Sequence, residues 1–193
     1  MDVLFVNPGN SSKIYQGLSN KYAAVETPTW SLLLANSMRK FGYECGLVDV
    51  NAENIEPIEV YERIKKYKPR LVCFVVYGQN VNAGTTNMSG ATYLSTFIKK
   101  QDRNLKIAYI GSHVQALPKE TLLNEESIDF VFTNEGVYAL RNILGLNNFE
   151  NDKIKHTKGI AYRDNGNVII NFPEEIVPAE RMDEDLPGYA WDL

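Results

Sequence analysis

Five short, mostly apolar runs, each separated from the next by residues with helical spacing, constrain this chain more than any other feature. The runs are Val3 to Val6, Cys45 to Val50, Leu71 to Val76, Ile107 to Ile110 and Ile128 to Phe132. A strand that is apolar throughout, rather than alternately apolar and polar, is covered on both faces. Between the runs lie helical stripes. Trp30, Leu33, Leu34, Met38 and Phe41 form the first, with Thr27 as expected N-cap, Pro28 in the first turn and Gly42 as the stop. Ile58, Tyr61 and Ile64 form a second, ended by Pro69; Ala91, Leu94, Phe97 and Ile98 a third. A short helix follows Pro118, and Val137, Leu140, Ile143 and Leu144 mark the last.

Strands joined through helices are parallel, because only a crossover returns the chain to the same end of the sheet. The pattern therefore predicts an α/β fold, a doubly wound parallel five-stranded sheet of the flavodoxin-like (Rossmann-like) kind with order 2-1-3-4-5. After Gly145 the character changes. "GIAYRDNGNVIINF" reads as a C-terminal β-hairpin turning around Asp164-Asn165-Gly166-Asn167. "EEIVPAERMDEDLPGYAWDL" reads as an extended linker with a solvated acidic run, Asp183 to Asp185. The expected division is residues 1–147 as the α/β domain and 148–193 as hairpin and linker, and the aromatic ending suggests a piece of a longer protein.

The net charge of -4 and pI near 5.3 argue against a nucleic-acid partner, which favours a basic face. No apolar run approaches the ~20 residues of a membrane-spanning helix. Cys45 and Cys73 lie in strand-like contexts and read as buried thiols rather than a disulfide or metal site, consistent with a reducing cytoplasm.

In a doubly wound sheet, ligands bind beyond the carboxyl ends of the strands. The loops to weigh are Asn7 to Pro28, Tyr77 to Asn87, Gly111 to Leu117 and Thr133 to Gly136. The first, which opens "NPGNSSK", lacks G-x-G-x-x-G and the G-K-[ST] of a P-loop. Tyr77 stands where a receiver domain places an aspartate. Ser11 and Ser12 sit too far ahead of the helix for a compact phosphate loop. So long an opening loop suggests a bulkier ligand or a cover against another domain. The residues leave individual roles open. His113 suits a ligand or a helix cap; Glu135 suits a ligand or a helix N-terminus. Tyr77 suits a ligand's tail or a plug on the sheet, Trp30 reads as core, and His156 as solvated.

Taken in order, "VLFVNPG", "ETPTWSLLLANSMRKFGYECGLVDV", "YIGSHVQALPKETL" and "DFVFTNEGVYALRNIL" resemble the N-terminal cobalamin (vitamin B12)-binding domain of cobalamin-dependent radical S-adenosylmethionine (SAM) enzymes. The hairpin and "MDEDLPGYAWDL" resemble the connector into that family's catalytic barrel. The resemblance implies a corrin ring across the carboxyl ends of the strands, bordered by Asn7, Pro8, Gly9, Asn10, Glu26, Thr27 and Thr29. It implies that Tyr77, Gly78, Gln79 and Asn80 contact the nucleotide tail. Gly111, Ser112 and His113 match the family's Gly-Gly-x-His stretch, and Asn134, Glu135 and Gly136 its Gly-Glu-Gly stretch. Two positions depart: Ile110 and Asn134 replace the first glycine of each.

There is no D-x-H-x-x-G, so no histidine of the first loop is expected to ligate cobalt, and no metal ligand or catalytic residue is assigned. Two distant cysteines fall short of C-x-x-x-C-x-x-C, so the 4Fe-4S cluster and S-adenosylmethionine are expected only in a parent domain. The implied function is to hold cobalamin against a radical SAM barrel, in a methyltransferase acting on a small-molecule substrate. The alternative is a cofactor-free docking or substrate-positioning domain of the same fold, and a flavin or nucleotide-sugar binder is a third reading.

Overall fold

The computed structural model describes residues 1–9, 25–77 and 81–193, with the backbone alone at 81–83 and 86. Strands β1 (Val3–Asn7), β2 (Cys45–Asp49), β3 (Leu71–Val75), β4 (Ile107–Ile110) and β5 (Phe130–Phe132) form a parallel sheet in the order β2-β1-β3-β4-β5. Helices α1 (Thr29–Lys40), α2 (Val50–Glu53), α3 (Pro57–Tyr67), α4 (Val81–Gln101), α5 (Ser112–Ala116), α6 (Pro118–Asn124) and α7 (Val137–Leu144) connect them. Among the described residues no helix is long and apolar enough to cross a membrane.

The two-residue period of each strand divides its side chains between two cores. Val3 and Phe5 of β1, with Cys73 and Val75 of β3, pack against Leu34, Ala35 and Met38 of α1 and Leu140 and Ile143 of α7. Leu4 and Val6, with Val72 and Phe74, pack against Val60 and Ile64 of α3 and Ala91, Leu94 and Ile98 of α4. A Schellman turn ends α1: Gly42 (φ +89°) donates to Arg39 O and Tyr43 to Met38 O.

The sheet has seven strands, not the five predicted. After a short helix α8 (Asn151–Ile154), strands β6 (Ile160–Asp164) and β7 (Asn167–Ile170) pair antiparallel and extend the sheet beyond β5. The predicted hairpin turns at Asn165 (φ +49°) and Gly166 (φ +82°), whose positive dihedrals match the twist of the strands they join. Ile160, Ala161 and Tyr162 are buried, so the pair closes the outer edge of β5 rather than standing apart. Local boundaries differ too. Pro28 rather than Thr27 is the N-cap of α1, and Thr27 O accepts the Thr29 N–H instead. Helix α4 takes up part of the loop expected over Tyr77 to Asn87, and α5 occupies the one expected after Gly111. Ile58 is exposed; Val60 and Ile64 are the buried positions of α3. His156 is exposed, as read from its polar surroundings.

Residues 174–192 return across α1 and α7 through a 3-10 turn (Ala179–Arg181) and α9 (Met182–Asp185). The acidic run is not wholly solvated, since Asp185 is only 1% exposed. Its carboxylate accepts from Tyr138 Oη (2.6 Å) and Arg181 Nε (2.7 Å), and its backbone oxygen from Ser37 Oγ (2.5 Å). The solvated reading holds for Asp183 and Glu184, which are exposed, and fails at Asp185, where Tyr138 and Ser37, distant in sequence, join Arg181 as the partners that make burial of a charge tolerable.

Phe74 is fully buried, its ring 5.4 Å from that of Tyr109. Phe74→Ala is expected to cost about 3–5 kcal/mol, read as a lower urea midpoint with unchanged slope. The Arg181 hydrogen bond, followed by that of Tyr138, holds the Asp185 carboxyl below its ordinary value of 3.8 against the opposing effect of burial. Its contribution to stability is therefore present above about pH 4 and is lost as pH falls through the depressed value. Asp185→Asn should flatten this acid arm of the stability–pH curve, measured by thermal melts between pH 2 and 7.

Candidate functional site at the carboxyl edge of the sheet

Parallel pairing brings the ends of β1 to β5 to one edge, where residue 7, residue 49, residues 76–77, residue 111 and residues 133–136 meet. At the β1–β2 side, Asn7 Nδ2 donates to Asp49 Oδ1 (2.9 Å), which also accepts the Asn51 and Ala52 N–H groups and so caps α2. Pro8 is buried. Gly9 lies so close to α2 that a Cβ there would stand 2.9 Å from Asn51 Cα. Glu26, Thr27 and Thr29 are exposed along the entry to α1. Asn10, Gly78, Gln79 and Asn80 lie outside the described residues.

Two glycines let elements approach at the β4–β5 side. A Cβ on Gly111 would overlap the carbonyl of Val76, and a Cβ on Gly136 (φ +86°) would overlap Cδ1 of Ile110. Ile110, fully buried, thus fills the space over the start of α7. Ser112 and His113 open α5; His113 Nδ1 is 3.3 Å from Thr85 Oγ1 of α4. A Cβ on Gly84 of α4 would stand 2.5 Å from Ser112 Oγ.

The centre of the edge is an aromatic and acidic group. The Trp30 ring packs on Tyr77 at 5.4 Å, and Trp30 Nε1 donates to Glu135 O (3.2 Å). Burial, and then the charge of Glu135, push the Tyr77 phenol up to about 12. Burial raises the Glu135 carboxyl too, opposed by a hydrogen bond from the Val177 N–H (2.5 Å). Asn134 is buried; its Oδ1 accepts the Gly136 N–H (2.9 Å) and its Nδ2 donates to Glu174 O (3.0 Å).

The edge therefore gathers Asn7, Pro8, Gly9, Tyr77, Asn134, Glu135 and Gly136 from loops far apart in sequence, with Glu26, Thr27 and Thr29 alongside. Gly111, Ser112 and His113 lie at the end of β4, and the described hydrogen-bond contact of the His113 side chain is to Thr85 of α4. Trp30, read as core, does pack against the core on the α1 side while reaching the rim half-buried; Glu174 and Val177 were missed. Only the departure at Asn134 hinted that something else reaches this turn. Among the described residues no group of three or more His, Cys, Asp or Glu is arranged to hold a metal ion. Both cysteines are buried, and burial raises their thiols, Cys45 to about 12.

The family model for the B12 binding domain matches residues 15–144, a span that holds the edge from Glu26 to Gly136. An uncharacterized methyltransferase of Pyrococcus horikoshii is 24% identical over all of this chain and 39% of its own length. In structure the chain is similar to the cobalamin-dependent S-adenosylmethionine radical enzyme OxsB bound to aqua-cobalamin and S-adenosylmethionine (TM-score 0.71, 17% identity), covering 99% of this chain and 24% of that one. It is also similar to the radical S-adenosylmethionine methyltransferase TsrM of Kitasatospora setae (TM-score 0.66, 15% identity), covering 89% of this chain and 30% of that one. At these identities the structures establish the fold, and this chain spans well under half the length of each relative.

Gly136 tests how tightly the edge is built. Gly136→Ala is expected to cost more than about 1 kcal/mol, because it strains a left-handed residue and drives a methyl into Ile110. Chemical denaturation at neutral pH measures it.

Proposed function

The chain belongs to the B12 binding domain family, and on that premise we propose that it seats a cobalamin on the carboxyl edge of its sheet. The family match over residues 15–144 carries this reading. The chemistry of the edge supports it. A corrin is a broad disc rimmed with amide side chains. The edge offers hydrogen-bonding groups of both senses around a half-buried aromatic pair, Trp30 and Tyr77. Cobalamin, when bound, supplies a cobalt that can carry and release a methyl group.

Every other task falls to the chain's own residues. Asn7, Pro8, Gly9, Asn10, Glu26, Thr27 and Thr29 border the ring on the β1–β2 side. Tyr77, Gly78, Gln79 and Asn80 meet the nucleotide tail. Gly111, Ser112, His113, Asn134, Glu135 and Gly136 shape the far side. Asn7 is held rigid by Asp49, and Trp30 links Tyr77 to the turn after β5, so the rim is organised before the ligand arrives.

In this reading residues 1–147 hold the cofactor, and 148–193 lead toward a radical SAM barrel. That barrel carries the 4Fe-4S cluster and S-adenosylmethionine, and acts as a methyltransferase on a small-molecule substrate. The radical enzymes that share this fold support such a partner. One observation favours the cofactor-free docking alternative. Ile110 fills the space over Gly136, so a nucleotide arm entering there must displace a fully buried side chain.

Incubation with hydroxocobalamin, desalting and a visible spectrum decide between the two. Retained red colour at one cobalamin per chain is expected. A colourless protein overturns the cobalamin reading in favour of docking, and a yellow protein as purified replaces it with a flavin.

A further inference from the structure

Asn134 and Glu135 stand on the rim, yet the tail of the chain engages both of their side chains. Asn134 Nδ2 donates to the carbonyl oxygens of Glu174 (3.0 Å) and Glu175 (3.5 Å), while its Oδ1 holds the Gly136 N–H. Glu135 Oε1 accepts the Val177 N–H (2.5 Å). Farther along, the tail is clamped to the two helices whose N-termini border the rim. Asp185 is gripped by Tyr138 of α7 and Ser37 of α1, with Arg181 completing the pair. Ala190 N–H donates to Leu32 O (3.2 Å), and Arg39 Nη1 meets Asp192 at 2.8 Å. Because Glu135 O also accepts Trp30 Nε1, and Trp30 packs on Tyr77, Val177 is connected to three rim groups.

We infer that residues 174–192 form a strap that positions the turn between β5 and α7, so that docking of the strap and seating of a cobalamin on the rim are coupled. The inference rests on the cobalamin reading above. It also accounts for Asn134. Where the resembled family carries a glycine, this chain carries an amide, and that amide joins the turn to the strap. Asn134 and Glu135 are then positioning residues. If the ligand favours the turn as the strap holds it, docking raises affinity, and the ligand protects the strap by the same factor.

Two variants of the 193-residue chain test this. Asp185→Ala removes the buried acceptor. Arg181→Gln, at a side chain 45% exposed, loosens the same clamp with little disturbance of the core. Three readings are taken: the rate of limited proteolysis within 174–192, the dissociation constant for hydroxocobalamin by spectral titration, and amide exchange across 133–137. Both variants are expected to keep the native circular dichroism and to expose the strap to protease. They should weaken cobalamin at least about fivefold and exchange faster at 133–137. Saturating hydroxocobalamin should slow cleavage of the native strap.

A freed strap with an unchanged dissociation constant overturns the coupling while leaving the cobalamin reading intact. A strap that stays protected in both variants overturns the clamp itself. If the native protein takes up no cobalamin, that reading falls, the coupling to it falls with it, and exchange judges the positioning role alone: acceleration at 133–137 upholds it, and no change overturns it.

Discussion

Burial of the parallel strands on both faces is the constraint from which the rest of the structure follows. Parallel strands cannot be joined by tight turns, so each connection must cross over, and the crossovers become the helices that cover the sheet. Val3 and Phe5 face α1 and α7 while Leu4 and Val6 face α3 and α4. A single strand thus knits two cores together. The same geometry sends every strand's carboxyl end to one edge, and that is how Asn7, Tyr77, Gly111 and Glu135, far apart in sequence, become neighbours along one rim.

A parallel sheet built this way has open edges, and its rim is made of loops. The last quarter of the chain covers the β5 edge and braces the rim, leaving β2 and β7 as the outer strands. The β6–β7 hairpin pairs with β5 and buries Ile160, Ala161 and Tyr162. The strap then crosses α7 and α1 and grips the turn after β5 through Asn134 and Glu135. Its own anchor is Asp185, whose buried carboxylate is made tolerable by an arginine and a tyrosine hydroxyl, while a serine hydroxyl donates to its backbone oxygen. At the centre of the rim Trp30, Tyr77, Glu135 and Val177 form one connected group.

How much of this was legible follows from the range of the signals. The five apolar runs and the helical stripes are local, so β1 to β5, α1, α3 and α7 could be read from spacing alone. Asn165-Gly166 announced its own turn. Helix boundaries were less legible: Thr27 looked like an N-cap, but its backbone oxygen rather than its side chain meets the first turn. The strap was illegible for a different reason. Nothing within 174–192 marks it as packed; Asp185 is buried only because Tyr138 and Ser37 wait on helices that lie far back in the chain.

The amino-acid order alone therefore determined the alternation of strands and helices, the parallel direction, and the edge where the carboxyl ends of the strands gather, because each depends on the periodicity of neighbouring residues. Tertiary structure alone decided that the hairpin completes the sheet, that the tail is a strap, that Trp30 joins the rim, and that Asn134 and Glu135 answer to Glu174 and Val177. These depend on which distant groups meet, and hydrogen bonds between residues about forty positions apart leave no period in a sequence to read.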